Sequence, residues 1–284
     1  MPITKIPFAK MNGCGNDFIV VDNRKKMMKG FDLGTFVKNI CARGTSLGAD
    51  GFMMLEPSDI ADFKMRYFNA DGSEGAMCGN GARCLSRFAH LVGAASETMS
   101  FETMAGIYQA EVLPATHTVN VKFPDVPLKT LQLNQPYPTE GPASLYHYGF
   151  VGVPHTVWFL DNVAKLSDRQ ITEWGKQIRY DHARFPQGTN VNFAQVIDRH
   201  SLQIRTYERG VEAETYACGS GSTAAAIVAG ILGLVESDSP IRMQTRGGVL
   251  RISYQLSEEL ARDVYMEGNA KLVATGELLP DAWL

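Results

Sequence analysis

The chain has 284 residues, 45% of them apolar and 20% charged, with a formal net charge of −3. This is ordinary globular composition, and the charge gives no electrostatic case for nucleic acid or an anionic membrane. Five cysteines, an odd number without paired spacing, argue against a secreted disulfide framework and for reduced thiols.

Residues 5–22 carry a Gly-rich turn, Gly13-Cys-Gly-Asn16, that feeds a short apolar run, Phe18 to Val21, expected as a strand. The turn lacks GxGxxG spacing and precedes a strand, so a phosphate loop is discounted. A short helix is expected over 32–42, then strands at 50–55 and 63–68. From Gly79 to Val92 the periodicity predicts a helix with Ala82, Leu85, Ala89 and Val92 on one face and Arg83, Arg87 and His90 on another. Strands follow at 98–104, 107–113 and 117–123. Pro124 to Pro142, with prolines at 124, 127, 136, 138 and 142, reads as a linker. Beyond it the order repeats: strands at 145–151 and 156–160, a helix near 167–178, and strands near 190–197 and 201–207. A helix from about Gly221 to Leu234, apolar all round and hence buried on every side, follows. Strands near 240–245, 249–255 and 263–267 complete the series. There is no 18-residue apolar run and no basic-then-apolar leader, so a cytoplasmic protein is expected.

The second half is an echo of the first. Cys78-Gly-Asn-Gly and Cys218-Gly-Ser-Gly each open a helical pattern, 140 residues apart (218 minus 78). Each cysteine has a glutamate four residues before it, Glu74 and Glu214, and a glycine 15 residues after it, Gly93 and Gly233. Lys64-Met-Arg-Tyr-Phe-Asn69 matches Gln203-Ile-Arg-Thr-Tyr-Glu208, and Phe101–Gly106 matches Met243–Gly248. Gly48–Phe52 aligns loosely with Gly188–Asn192. Two copies indicate a duplicated domain, not a solenoid. The expected fold is α+β: two pseudo-symmetric halves, each a mixed, mostly antiparallel sheet curled as a barrel around a central helix. The halves are expected at 1–120 and 121–270, with 271–284 returning to the first.

A cysteine at a helix start faces unpaired N–H groups and a positive dipole end. Such a site binds a carboxylate and favours a thiolate. Two of them acting on one ligand would place a sulfur on each side of the carbon next to that carboxylate. One, as thiolate, would remove the α-proton; the other, as thiol, would deliver a proton to the opposite face. That inverts an amino-acid stereocentre without a cofactor. Each helix end contributes at most about 2 kcal/mol, so a water-excluded cleft with preorganised donors is expected to supply most of the stabilisation.

At these residues the chain resembles the diaminopimelate epimerase family. The matching motifs are Gly13-Cys-Gly-Asn-Asp-Phe18, Asn69-Ala-Asp-Gly-Ser-Glu74, Cys78-Gly-Asn-Gly-Ala-Arg-Cys84, Gly188-Thr-Asn190, Tyr207-Glu-Arg-Gly210 and Ala217-Cys-Gly-Ser-Gly221. They span nearly the whole chain. The resemblance implies conversion of LL-diaminopimelate to the meso form, no pyridoxal phosphate or other cofactor, and a homodimer. It implies Cys78 and Cys218 as the catalytic pair, and Gly79, Asn80, Gly219 and Ser220 as the cradle of the reacting-end carboxylate. Asn16, Asn69, Asn190 and Arg209 would hold the substrate's polar ends, and Glu208 an ammonium. The family often has Gly-Asn-Pro-His where this chain has Gly152-Val-Pro-His155; Val153 lacks the amide. Val211-Glu-Ala-Glu214 also differs from the family's shorter Gly-rich turn.

Other readings carry less. A lone cysteine is usually a small buried hydrophobe, which is the expectation for Cys14, Cys41 and Cys84. No C-x2-C occurs and the six histidines show no ligand spacing, so no metal site is expected. Glu74 and Glu214 fit a structural role at the helix starts as well as a role in the site. His155 is a possible lining residue or a core histidine. The functional alternative is a cofactor-independent racemase or epimerase of another amino acid on the same fold; proline racemase-like proteins carry His where this chain has Asn80. A binding protein for amino acids would need the helix ends but not the thiols.

Overall fold

The computed structural model describes residues 4–137 and 140–284. Two compact units account for the chain: Met1–Val121 with Gly268–Leu284, and Lys122–Glu267. In chain order the first unit starts with strands β1 (Ile6–Gly13) and β2 (Asn16–Asp22), helix α1 (Leu33–Ile40), then β3 (Gly51–Glu56), β4 (Phe63–Asn69) and β5 (Glu74–Gly75). Helix α2 (Gly79–Leu91) follows, then β6 (Thr98–Thr103), β7 (Gly106–Leu113) and β8 (Thr118–Phe123). The second unit has β9 (Val126–Pro127), β10 (Gln132–Pro136), β11 (Leu145–Val151), β12 (Val153–Phe159), α3 (Asp168–Arg179), β13 (Asn190–Asp198), β14 (Ser201–Glu208) and β15 (Ala213–Thr215). It ends with α4 (Gly219–Ile231), β16 (Ile241–Thr245), β17 (Gly248–Leu256) and β18 (Leu260–Asn269). The last strand, β19 (Lys271–Leu278), pairs with β1 in the first unit.

One strand is new and one expectation is corrected. Ahead of the Gly13 turn, where no element was assigned from the sequence, Ile6–Gly13 forms β1, with burial that alternates only in part. The Pro-rich stretch is not a bare linker. Pro127 ends β9 and Pro136 ends β10, positions where a strand tolerates a missing N–H. Pro138 lies outside the described residues.

The echo seen in the sequence is repeated in strand pairing. In the first unit β2 runs antiparallel to β1 and parallel to β3 across α1; β4 is antiparallel to β3 and β5 and parallel to β6 across α2. In the second unit β12 runs antiparallel to β11 and parallel to β13 across α3. Its β14 is antiparallel to β13 and β15 and parallel to β16 across α4. Register fixes the equivalences. Ile19 pairs with Phe52 and Phe52 with Phe68, as Thr156 pairs with Val191 and Val191 with Tyr207. This corrects the loose alignment of Gly48–Phe52 by one residue, and it makes Val153 the counterpart of Asn16.

Within each unit the sheet curls around its central helix. Helix α2 packs on β1, β2, β3, β4, β7 and β19, and α4 on β11, β12, β13, β14, β16 and β17. Small residues make the wrap of α4 possible: Ala224, Ala225, Ala226 and Ala229 are buried, and the Tyr254 hydroxyl donates to the Ala226 carbonyl at 2.8 Å. A Cβ at Gly230 would collide with that hydroxyl. Burial of Ile227 and Val228 contributes roughly 1.5–3 kcal/mol each. The outer helices seal the far faces: α1 with Phe31, Phe36 and Trp283, α3 over a core around Trp158, Tyr146 and Phe185. No helix among the described residues is long and apolar enough to cross a membrane.

Candidate active site

Cys78 is the N-cap of α2 and Cys218 the N-cap of α4, both with extended backbone. N-caps are normally oxygen-bearing side chains that accept an N–H two or three residues on. Here sulfur takes that place: Gly81 N–H points at Cys78 Sγ and Gly221 N–H at Cys218 Sγ, each at 3.4 Å. Space is tight at three of these glycines. A Cβ at Gly81 would lie 2.9 Å from Met53 Sδ, one at Gly219 would lie 2.7 Å from Met266 Sδ, and one at Gly221 would collide with the Asn192 carboxamide.

In the first unit the helix start is joined to the Gly13–Asn16 turn. Cys14 and Gly15 both have positive φ, 52° and 91°, and the Cys14 N–H donates to Asn269 Oδ1 at 2.8 Å. The turn delivers Asn16, whose Oδ1 accepts from Asn80 Nδ2. Asn16 Nδ2 donates to Asp50 at 3.1 Å, and Asn80 Oδ1 accepts from Arg83 at 2.8 Å. Arg83 is fully buried and also reaches the carbonyls of Gly79 and Asn269. Asn69 is exposed and bonded within its own hairpin, to Tyr67 and Ser73. Cys84, six residues beyond Cys78, is fully buried, which pushes its thiol up to about 12. Burial does the same to Cys41.

In the second unit Cys218 is 8% exposed. Burial pushes its thiol well up, and the Glu208 carboxylate beside it pushes the same way; the Gly221 N–H and the Ser220 hydroxyl, 3.6 Å from the sulfur, oppose them. Glu208 also accepts from Thr215 at 2.6 Å. Asn190 Oδ1 accepts the Arg209 backbone N–H at 2.8 Å, and the Arg209 guanidinium donates to the Gln187 carbonyl at 2.8 Å. His155 is wholly buried and burial holds its imidazole down to about 3, so it is neutral at physiological pH. Its Nδ1 lies 3.2 Å from the Asn192 amide, which also donates to the Thr156 carbonyl and accepts from Thr206. Val153 lies at the start of β12 and has only an apolar side chain to offer where its counterpart Asn16 has an amide.

The two glutamates before the cysteines are ion-paired across each hairpin. Glu74 takes a two-pronged bond from Arg66, at 2.7 and 2.9 Å. Glu214 takes one from Arg205, both at 2.6 Å, and a third bond from Arg246. Arg66 and Arg205 are equivalent positions of the repeat. These pairs brace the segment that leads into each cysteine. The Val211–Glu214 turn is ordered by Glu212, which accepts the Gly210 N–H at 3.0 Å and pairs with Arg179 at 3.0 Å.

Three contributors escaped the sequence: Arg83, Asp50 and Asn192. Arg83 stood in a quoted motif, but its periodicity assigned it to a face with Arg87 and His90. Asp50 and Asn192 stood in the loosely aligned Gly48-Ala-Asp-Gly51 and Thr189-Asn-Val-Asn192 stretches, where nothing local marks the half-buried Asp50 or the buried Asn192 for a polar role.

The family model described as diaminopimelate epimerase matches residues 8–126 and 148–273. The diaminopimelate epimerase of Archaeoglobus fulgidus is 41% identical to this chain over 283 residues, which is 96% of each. That of Aquifex aeolicus is 40% identical over 283 residues, covering 95% of this chain and 97% of its own. Among solved structures, a phenazine biosynthesis protein of the PhzF family from Bacillus anthracis matches with a TM-score of 0.72 at 16% identity. It covers 98% of this chain and 100% of its own, and shares the fold.

Proposed function

The chain belongs to the diaminopimelate epimerase family, and from that premise we infer that it interconverts LL- and meso-diaminopimelate, a step of lysine and peptidoglycan precursor biosynthesis. The observation that carries the mechanism is the pair of helices capped by a thiol, each with an N–H aimed at the sulfur. Cys78 and Cys218 act on one α-carbon. A thiolate on one face takes the proton, and a thiol on the other returns one, so each turnover exchanges which sulfur is charged. No electron leaves the substrate and no redox partner is needed.

The N–H groups that follow each cysteine, at Gly79, Asn80, Gly219 and Ser220, receive the carboxylate next to that carbon. A carboxylate held by backbone N–H groups at helix starts draws electron density from the α-carbon as the proton leaves. Asn16, Asn69, Asn190 and Arg209 hold the distal ammonium and carboxylate, Arg209 with charge-assisted bonds. Glu208 takes an ammonium, and His155, neutral and buried, lines the wall without sharing in proton transfer. No pyridoxal phosphate takes part. The protein works in the cytoplasm as a homodimer; family likeness supports both points.

The test is NMR of LL-diaminopimelate with the protein in D2O. Formation of the meso isomer with deuterium entering at Cα is the expected result. Loss of LL-diaminopimelate with no Cα exchange would overturn the two-base chemistry. Val153 supports a second reading, because it removes one amide from the proposed distal contacts. Exchange on a mono-carboxylate amino acid, with none on diaminopimelate, would favour a racemase of another amino acid.

A further inference from the structure

We propose that Asp50 and Arg83 are positioning residues that fix the direction of the Asn16–Asn80 amide pair. This rests on the reading of Asn16 and Asn80 as substrate-facing groups. A carboxamide has one acceptor end and one donor end of nearly the same shape, so a lone Asn turns over easily. Two bonded amides can turn over together and stay bonded. What stops them is what stands at each end of the pair.

At one end stands Asp50, an ionised carboxylate that can only accept. Its Oδ2 takes Asn16 Nδ2 at 3.1 Å and the Asp17 N–H at 3.1 Å, while Oδ1 takes Arg43 at 2.8 Å. Asn16 must therefore turn its N–H toward Asp50 and its oxygen toward Asn80. At the other end stands Arg83, a guanidinium that can only donate. It donates to Asn80 Oδ1 at 2.8 Å, so Asn80 must turn its N–H toward Asn16, as found. The direction of both amides follows from the chemistry of the two ends alone. Reversing the pair would set an amide oxygen against the carboxylate and an amide N–H against the guanidinium. On the reading of these amides as substrate-facing, reversal would also exchange donor for acceptor toward the substrate, and an acceptor repels a carboxylate.

The geometry around Arg83 holds the charged end in place. Its Nε reaches the Asn269 carbonyl at 3.4 Å and its Nη1 the Gly79 carbonyl at 3.5 Å. The Gly13 Cα has no room for a side chain: a Cβ there would lie 2.9 Å from the Asn80 carbonyl, 3.1 Å from Cys84 Sγ and 3.6 Å from the guanidinium. Among the described residues the second unit has no such device. Its equivalents of Asn16, Asn80 and Arg83 are Val153, Ser220 and Thr223, and Thr223 turns back on the Gly219 carbonyl at 3.0 Å. The directional relay is a property of the first half only.

The test compares Asp50→Asn, Arg83→Met, Arg83→Lys and Arg43→Gln by steady-state kinetics on diaminopimelate and by the side-chain NH2 resonances of 15N-labelled protein. An amide at position 50 can either donate or accept, so Asp50→Asn removes one of the two constraints and lowers the cost of turning the pair. Asp50→Asn and Arg83→Met are expected to raise KM about tenfold, with a smaller fall in kcat and a Tm within a few degrees of wild type. Arg83→Lys, which still only donates, is expected to recover most of that loss. Arg43→Gln, which leaves the Asp50–Asn16 bond, is expected to keep KM within about twofold. The Asn16 and Asn80 NH2 signals are expected as single sharp pairs in wild type and as split or broadened pairs in Asp50→Asn. The NMR comparison holds whether or not the protein turns over diaminopimelate, so it separates failure of this proposal from failure of the functional reading. Unchanged NH2 pairs in both Asp50→Asn and Arg83→Met would overturn it. So would KM values equal to wild type in those two variants while wild type is active. If Arg83→Met does not fold, Asp50→Asn against Arg43→Gln decides the question by the same two readouts.

Discussion

At Cys78 the first turn of its helix rests on Met53 and is tied to a buried cation, Arg83; at Cys218 the first turn rests on Asn192 and its thiol lies beside an anion, Glu208. The backbones are alike: the same strand pairings, the same N-cap, the same N–H on sulfur at 3.4 Å. Charge differs, so duplication preserved the frame and left the polar residues at each end to diverge. A substrate with one reacting end and one distal end calls for that. Inversion needs two thiols disposed alike, while a molecule with distinct ends needs unlike partners around them.

If the halves are alike in chemistry, neither thiol can stand in for the other. Cys78→Ala and Cys218→Ala are each expected to lower epimerisation by at least about a thousandfold, the scale of removing an essential acid–base group, with circular dichroism unchanged. Meso formation is the quantity to follow. A variant that keeps kcat within tenfold of wild type would mean that one thiol, or water, serves both faces.

Much of this frame was legible in the sequence, for a physical reason. The Cys-Gly-x-Gly stretches carry their meaning locally, because a helix start with glycines around a thiol is a short-range pattern. Helices α2 and α3 fell within a residue or two of their expected bounds, since amphipathic period and caps such as Ser167 with Gln170 are also local. What stayed hidden depends on residues far apart in sequence. Arg83 reads as one of three basic residues on a helix face, and only the closeness of Asn269, 186 residues away, reveals that it is buried. The role of Asp50 needs Asn16, 34 residues away. The equivalence of Val153 with Asn16 rests on strand register, which a one-residue slip in alignment conceals.

The unlike ends should differ in what they tolerate. Arg209 offers charge-assisted bonds, worth roughly 1.5–3 kcal/mol, so Arg209→Ala is expected to lower kcat/KM for diaminopimelate by about 10- to 150-fold. At the counterpart of Asn16, Val153→Asn restores an amide worth roughly 0.5–1.5 kcal/mol, so it is expected to change kcat/KM by about tenfold at most. The ratio of the two effects is the useful quantity. If Val153→Asn outweighs Arg209→Ala, the distal end is read mainly by the second half's β12 and not by the Arg209 turn.

The smallest expected effect tests the charge difference at the thiol itself. Burial and then Glu208 raise the Cys218 thiol, while the Gly221 N–H and Ser220 lower it. A thiol with a raised pKa is protonated at neutral pH and becomes reactive only as pH climbs toward that pKa. Glu208→Gln keeps the shape and removes the negative charge, so the Cys218 pKa falls and its thiolate fraction at a given alkaline pH rises. The rate of iodoacetamide alkylation at Cys218, followed by peptide mapping in a Cys78→Ser background, is expected to rise a few-fold at pH 9. Its pH profile is expected to move to lower pH; a shift of one unit corresponds to tenfold in rate on the rising limb. Burial is the larger cause and remains in the variant, so Cys218 should still titrate above an ordinary thiol. A profile that does not move would show that Glu208 acts on Cys218 only as a hydrogen-bond acceptor, and one that moves to higher pH that its charge does not raise the thiol. The proposed ammonium contact of Glu208 would then be the only electrostatic work left to it.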